Sequence, residues 1–433
     1  PFAMIDLWEE HGGSKPSMMK GEAETVAELI TGEVAQNLIR VFLLREQLKK
    51  TAGNASQEIK RVHVIGAGTM GGDIAAWCAY KGLTVSVTDQ DPEQIGNAIG
   101  RATELFEKKL KDSASVRDAH DRLTPDMEGT GLRRADLVIE AVAEKLDVKV
   151  KVFEQMEAEA PEQAVLATNT SSIPLEDIAD GLEHPERLIG LHFFNPVAQL
   201  PLVEVVGARG SSDAARATGA AFVEKISKLP LPVRSAPGFF VNRVLTPYLL
   251  EAMRMLEEGI KAETIDKAAE DFGMPMGPVE LADSIGLDIA LDVGKRLAED
   301  TQLSAPESLE QMVDDGKLGR KSGEGFYKWK DGKAEKNAAG ETDLNMIDRL
   351  ILSSINACGT CLRNKVVEDE DMADAGMIFG AGFAPFRGGP VHYAKKIGFK
   401  ELTERLSELA ESHGAPFEPD AYWSERAHEA SSG

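Results

Sequence analysis

The segment Gly66-Ala67-Gly68-Thr69-Met70-Gly71 limits what this chain can fold into more than any other. The apolar run RVHVI (61–65) leads into it, the helical pattern MGGDIAAWCAYKG (70–82) opens on it, and a second strand-like run, TVSVT (84–88), follows. Strand, glycine loop, helix and strand fall within the length of one βαβ unit, which makes an otherwise weak glycine motif specific. In that setting Gly66 permits a tight turn, Gly68 lets the backbone approach a pyrophosphate, and Gly71 allows the helix to pack closely on the strand. The unpaired N–H groups and partial positive charge at the start of the helix favour an anion there.

Further strand-like runs alternate with helical stretches as far as about Ser235: LVIEAV, AVLATN, LIGLHFF, LVEVVG and LPVRS. Such alternation predicts a mostly parallel, doubly wound sheet covered on both faces, an α/β domain of the Rossmann type. Asp89 ends the second strand, 89 − 71 = 18 residues after the last glycine of the loop, where a carboxylate accepts hydrogen bonds from the adenine ribose. Thr88-Asp89-Gln90-Asp91 offers no arginine for a 2′-phosphate, so the expected cofactor is NAD rather than NADP.

At 433 residues the chain is too long for one core. Residues 1–20 read as irregular, AETVAELITGEVAQNLIRVFLLREQLKK (23–50) as one long amphipathic helix, and TAGNAS (51–56) as a linker. After Pro237-Gly238 strand signals stop, and helical patterns run to a frayed end, EASSG. An internal repeat lies there: Pro278 to Pro390 and Gly286 to Gly398 share one offset, 390 − 278 = 398 − 286 = 112. Residues 330–344 read as a polar loop between two related all-α units. The expected division is a remnant or linker helix at 1–57, the dinucleotide domain at 58–236, and helical domains at 237–330 and 345–425. The start at Pro1, without an initiator Met or signal-peptide pattern, points to a fragment of a longer chain.

A net charge of −24 argues against nucleic acid or anionic lipid as partner, since both are met by basic surfaces. No apolar run approaches a membrane span, and three cysteines suit a reducing cytoplasm. Cys358 and Cys361 form a Cys-x-x-Cys inside a helical pattern without a second pair, which reads as core packing. No grouping of His, Cys and carboxylates has metal-ligand spacing, so no metal is expected.

One of the eight histidines stands out. His192 closes the strand LIGLHFF ahead of a proline turn, at the edge where open α/β sheets bind ligands. Glu204, 204 − 192 = 12 residues later in PLVEVV, is placed for a return strand to bring the two side chains together. That pattern suits an orienting carboxylate on a general base, and equally a structural histidine satisfied at a strand end.

The surrounding words are more specific. EAVAE (140–144), TNTSS (168–172), GLHFFNPV (190–197), LVEVV (202–206), APGFFVNR (236–243), MGPVELAD (276–283) and KSGEGFY (321–327) occur in this order. Together with the glycine loop they closely resemble the L-3-hydroxyacyl-CoA dehydrogenase family, over about Lys60 to Tyr327. The resemblance implies NAD-dependent oxidation of the 3-hydroxyl of an acyl-CoA in fatty-acid β-oxidation. It implies His192 as general base, Glu204 as its partner, and Ser171 and Asn242 as polar residues around the substrate hydroxyl and thioester carbonyl. It also places Met70, Glu144, Lys149, Ser171 and Asn195 beside the NAD and Lys321 near it, although Lys149 and Lys321 are of a surface type.

The second helical unit and the N-terminal helix resemble multifunctional β-oxidation proteins, in which an enoyl-CoA hydratase/isomerase half precedes the dehydrogenase. Residues 1–55 would be the end of that half, and nothing in the chain resembles a hydratase active site. Asp348 stands approximately where the first unit has Asn242, so the second unit is expected to pack rather than catalyse, mimicking within one chain the dimer contact of smaller relatives. A thiolase subunit is a further partner implied by this resemblance. The competing readings are an NAD-dependent dehydrogenase of a free hydroxy or sugar acid, and a non-catalytic NAD-binding protein.

Overall fold

The computed structural model describes residues 2–432 apart from 52, 54, 56 and 301–304, with backbone alone for 299, 300 and 430–432. The alternating runs form one eight-stranded sheet: β1 (Arg61–Ile65), β2 (Thr84–Thr88), β3 (Leu123–Pro125), β4 (Leu137–Glu140), β5 (Val165–Thr168), β6 (Leu188–Phe193), β7 (Leu202–Gly207) and β8 (Leu229–Arg234). Their order is β3-β2-β1-β4-β5-β6-β7-β8, parallel throughout except that β7 runs antiparallel to β6. β4, β5, β6 and β7 are buried along their whole length, as strands covered on both faces must be. The order reverses between β1 and β4, which opens a crevice beyond their carboxyl ends. The sequence reading passed over β3, three residues ending in proline, a residue that is tolerated at a sheet edge.

The N-terminal segment departs from expectation. Residues 1–20 are not irregular: helices span Phe2–His11 and Lys15–Thr31. The long helix is broken at Gly32, whose extended backbone (ψ 150°) separates Lys15–Thr31 from Glu33–Lys50. In the expected linker, positions 52, 54 and 56 lie outside the described residues, as does Pro1.

The repeat is visible in three dimensions. Helices Val241–Glu257, Ala262–Phe272 and Pro278–Ile285 are echoed by Leu344–Arg363, Glu370–Ala381 and Pro390–Ile397. In each unit a buried aspartate caps the proline-initiated helix: Asp266 accepts from the amides of Val279 and Glu280 at 2.8 and 3.2 Å, and Asp374 from those of Val391 and His392 at 2.7 and 3.2 Å. A Cβ on Gly277 would lie 2.2 Å from Asp266, and one on Gly389 2.4 Å from Asp374, so the same cap demands glycine in both units. The cations that reach these caps differ in origin: Lys336 follows the first unit, whereas Arg40 comes from the N-terminal helix to Asp374 and Asp371.

Strand structure does not stop at Pro237: Lys328–Lys330 and Lys333–Glu335 pair as a small antiparallel hairpin across the start of the expected loop. Nor does the chain fray as expected, because a helix runs over Ala421–Ser432; Gly433 lies outside the described residues. No helix among the described residues is long and apolar enough to cross a membrane.

The two units meet along helices Val241–Glu257 and Leu344–Arg363. There Arg349 gives Nε to Glu251 at 2.7 Å and its two terminal nitrogens to Glu258 at 2.6 and 2.8 Å. Glu251 is fully buried, so its charge depends on Arg349 and on Arg254, which lies 3.3 Å from its other oxygen. Arg349→Met is therefore expected to lower stability by about 3 kcal/mol in urea unfolding, as removal of one partner from a buried ion pair does; an unchanged midpoint would show that the units do not rely on this bridge.

Candidate active site

The carboxyl ends of the parallel strands β1, β4, β5 and β6 point to one edge, and each delivers one of the sequence words. β1 delivers the glycine loop. Gly66 has φ +101°, and a Cβ there would lie 2.5 Å from the carbonyl of Ala141; a Cβ on Gly71 would lie 1.9 Å from the carbonyl of Gly66. These two glycines are thus required by the protein's own packing. A Cβ on Gly68 would meet nothing within 4 Å, so its open face is available to a ligand at the start of helix Thr69–Tyr80. Asp89 closes the cradle, accepting from the Ala67 amide at 2.6 Å and the Asp91 amide at 3.0 Å. Met70 is half-buried at the first turn of the helix. Arg101, which sequence reasoning passed over, donates to the Gly68 carbonyl at 2.9 Å and to Asp73 at 2.9 Å. This arrangement fits a dinucleotide: backbone donors for the phosphates and an acidic side chain at the end of β2.

β4 and β5 deliver a buried polar network. Glu140 ends β4 and is wholly buried; its carboxylate accepts from Lys149 Nζ at 2.7 Å, the Val142 amide at 2.7 Å and Thr168 Oγ1 at 2.7 Å. Lys149, expected to be of surface type, is only 1% exposed. It lies in the first turn of helix Leu146–Glu159, where side chains lean back toward the helix start and so toward the end of β4. Its ammonium also lies 3.2 Å from Glu144 Oε2. The other oxygen of Glu144 gathers the TNTSS loop, accepting from Thr170 Oγ1 at 2.6 Å and from the Ser171 and Ser172 amides at 2.9 and 3.2 Å. Burial alone would raise the Glu144 pKa, but Lys149, the Thr170 hydroxyl and the Ser171 amide outweigh it and hold the carboxyl below its ordinary value.

β6 and β7 deliver the His–Glu pair. Antiparallel pairing sets His192 directly opposite Glu204, and His192 Nδ1 lies 2.6 Å from Glu204 Oε2. Glu204 is fully buried and His192 is 5% exposed. The remaining oxygen of Glu204 accepts from the Phe240 and Val241 amides at 3.0 and 2.9 Å, at the start of helix Val241–Glu257. To present those amides the chain turns through two left-handed residues, Gly238 (φ +72°) and Phe239 (φ +51°). A phenylalanine in that region is strained, and its ring packs 5.6 Å from the imidazole. Phe194 covers the imidazole at 4.5 Å. With Nδ1 engaged by the carboxylate, Nε2 is the ring nitrogen open to a substrate, and it has no hydrogen-bond partner among the described residues.

Asn242 Nδ2 donates to the Ser171 carbonyl at 3.3 Å, which joins the TNTSS loop to the first helical unit. Both residues line one end of an apolar pocket whose walls include Leu245, Leu249, Met253 and Ile289. Asn195 is exposed on the turn after β6. Lys321 is not gathered with the others: its ammonium is held by Asp288, 2.6 Å away at one carboxylate oxygen. Asp348, the approximate counterpart of Asn242 in the sequence, pairs with Arg405 at 3.3 Å.

A doubly wound sheet with a glycine cradle at its switch point and a carboxylate-held histidine two strands beyond β4 defines a nicotinamide-dependent dehydrogenase. The sequence matches the NAD binding domain of 3-hydroxyacyl-CoA dehydrogenase over residues 61–236 and the C-terminal domain of the same enzyme over residues 238–329. This chain belongs to the 3-hydroxyacyl-CoA dehydrogenase family. It is similar to the fatty acid oxidation complex subunit alpha of Shewanella baltica, with 33% identity over 97% of this chain and 63% of that relative. The chain thus spans just under two thirds of the length of that protein. Among solved structures it resembles 3-hydroxybutyryl-CoA dehydrogenase of Escherichia coli K12 (TM-score 0.79, 27% identity, 87% of this chain and 100% of that one). It also resembles FadB2 of M. tuberculosis (TM-score 0.61, 37% identity, 63% of this chain and 100% of that one).

The different surroundings of the glycines make a separable pair of expectations. Gly71→Ala forces backbone apart and should destabilise by about 2 kcal/mol in thermal unfolding. Gly68→Ala should leave stability within about 0.5 kcal/mol while weakening NADH binding about tenfold by fluorescence titration. Equal effects of the two on stability would contradict the assignment of Gly68 to the ligand side.

Proposed function

We propose that this chain oxidises L-3-hydroxyacyl-CoA to 3-ketoacyl-CoA with NAD, as a step of fatty-acid β-oxidation. The observation that carries the reading is the 2.6 Å contact of His192 Nδ1 with Glu204, which leaves Nε2 without a hydrogen-bond partner among the described residues near the carboxyl end of β6. NAD, when bound, supplies the hydride acceptor. His192 Nε2 takes the proton of the 3-hydroxyl as the carbonyl forms and returns it in the reverse direction. Glu204 holds the ring orientation and stabilises the imidazolium, while its second oxygen is fixed by two backbone amides. Ser171 and Asn242 orient the hydroxyl and thioester carbonyl, and the apolar pocket beside them accommodates the acyl chain. Gly68 with Met70, Asp89, Glu144, Lys149, Ser171 and Asn195 holds the dinucleotide, in a turn that Gly66 and Gly71 shape.

We read residues 58–236 as the NAD domain, 237–330 and 345–425 as the two helical domains, and 1–57 as the edge of a hydratase-like domain. The relatives named as complex subunits support a multi-subunit assembly, for which a thiolase is the partner that the sequence resemblance implies. The three cysteines are buried and unpaired, in keeping with a reducing, cytoplasmic setting.

The test is NADH consumption with acetoacetyl-CoA and, in parallel, with free acetoacetate. Turnover of the thioester alone is expected; turnover of the free acid at a similar kcat/KM would overturn the substrate class. His192→Ala should lower kcat by about 100-fold or more with NADH affinity changed little. Glu204→Gln is expected to lower kcat by a factor of at least about ten, because the neutral amide stabilises imidazolium less; retention of full activity would remove Glu204 from the mechanism.

A further inference from the structure

The open glycine of the cradle is braced from a second helix. Gly68 caps helix Thr69–Tyr80, and its carbonyl accepts from the Gly72 amide at 2.9 Å and from Arg101 Nη2 at 2.9 Å. Arg101 stands on helix Pro92–Lys109, and its Nε donates to Asp73 at 2.9 Å. One guanidinium thus ties the residue before the helix to a residue of its second turn. The local sequence leaves room for it, since a Cβ on Gly72 would lie 2.5 Å from Arg101 Nη2. From this geometry we infer that Arg101 is a positioning residue for the dinucleotide, which fixes the Gly68–Thr69 peptide so that its N–H meets the diphosphate.

The argument turns on one peptide plane. In a trans peptide the C=O and the N–H point in opposite directions, so a donor that holds the Gly68 carbonyl also fixes the heading of the Thr69 amide. That amide is among the first of its helix and has no acceptor within the helix, which makes it one of the groups an anion at the helix start uses. Gly68 has no side chain to restrict its backbone, and a Cβ there would meet nothing, so neither rotamer nor packing holds the plane in place. Arg101 supplies the missing restraint. An arginine suits the task better than a lysine, because the donors of a guanidinium form a rigid planar fork that engages a carboxylate and a carbonyl together. Asp73 offsets the charge of that fork, so the brace acts on the ligand through orientation more than through attraction. The cradle lies at the end of β1, whereas the imidazole lies on β6, so the effect belongs to cofactor binding and not to proton transfer.

The inference rests on the NAD-dependent reading, and its failure is distinguishable from the failure of that reading: NADH binding by the wild type, followed by fluorescence, tests the reading, and the variants test the brace. Arg101→Met is expected to raise the NADH dissociation constant about tenfold, while kcat with acetoacetyl-CoA at saturating NADH changes less than about twofold. Arg101→Lys keeps the charge and loses the fork, so it should still weaken NADH about fivefold. In competition with NADH, ADP carries the diphosphate and should lose as much affinity for either variant as NADH does. Adenosine lacks the diphosphate and should change less than about twofold. Unchanged NADH affinity in Arg101→Met, or full rescue by the lysine, would overturn the proposal. So would a loss confined to kcat, or an equal loss for adenosine and ADP, which would mark a general distortion of the cleft. Should Arg101→Met not fold, the lysine variant with ADP and adenosine decides the matter by the same criteria.

Discussion

Much of this structure depends on one carboxylate. Glu204 lies at the junction of a strand, a buried histidine and a helix start, with one oxygen on the imidazole and the other on two backbone amides. Removing a carboxylate from water is unfavourable unless its lone pairs are met, and here every partner is also an element that needs locating. The imidazole gains an orientation, the helix Val241–Glu257 gains an N-terminal anion, and the dinucleotide domain gains a fixed attachment to the first helical unit. The left-handed pair Gly238-Phe239 follows from the same requirement, since the chain must turn sharply to aim two successive amides at one oxygen.

The remaining polar residues of the cleft follow a similar logic. Strand ends supply positions, and buried charge supplies precision. Glu140 and Asp89 each close a strand and each accept from backbone amides of the loop regions next to them. The site is therefore assembled along one edge of the sheet from loops of which three are held by acids, Asp89, Glu140 and Glu144.

The β-rich runs, the glycine loop and the ordered motifs made the sheet and the meeting of His192 with Glu204 legible in the sequence, because both rest on local pattern. Features that arise from tertiary burial were less legible. Lys149 looks like any surface lysine until the end of β4 is placed beneath it, and Arg101 gives no local sign that it braces Gly68. β3 is too short to show an alternation, and the first helix was hidden by the Gly12-Gly13 and Pro16 that follow its core. Those residues punctuate two helices rather than prevent them. Gly32 had the converse effect: a continuous apolar period ran across a real break.

The paired caps of Asp266 and Asp374 show that one helical pattern has been used twice, yet the bridge between the units is one-sided. Arg349 of the second unit reaches Glu251 and Glu258 of the first. In a symmetric assembly of identical chains every substitution at such a contact appears on both sides at once and must suit both roles. Tandem copies on one chain are released from that rule. Asn242 faces the cleft while Asp348 is tied to Arg405, so one copy is free to serve chemistry and the other to become its scaffold.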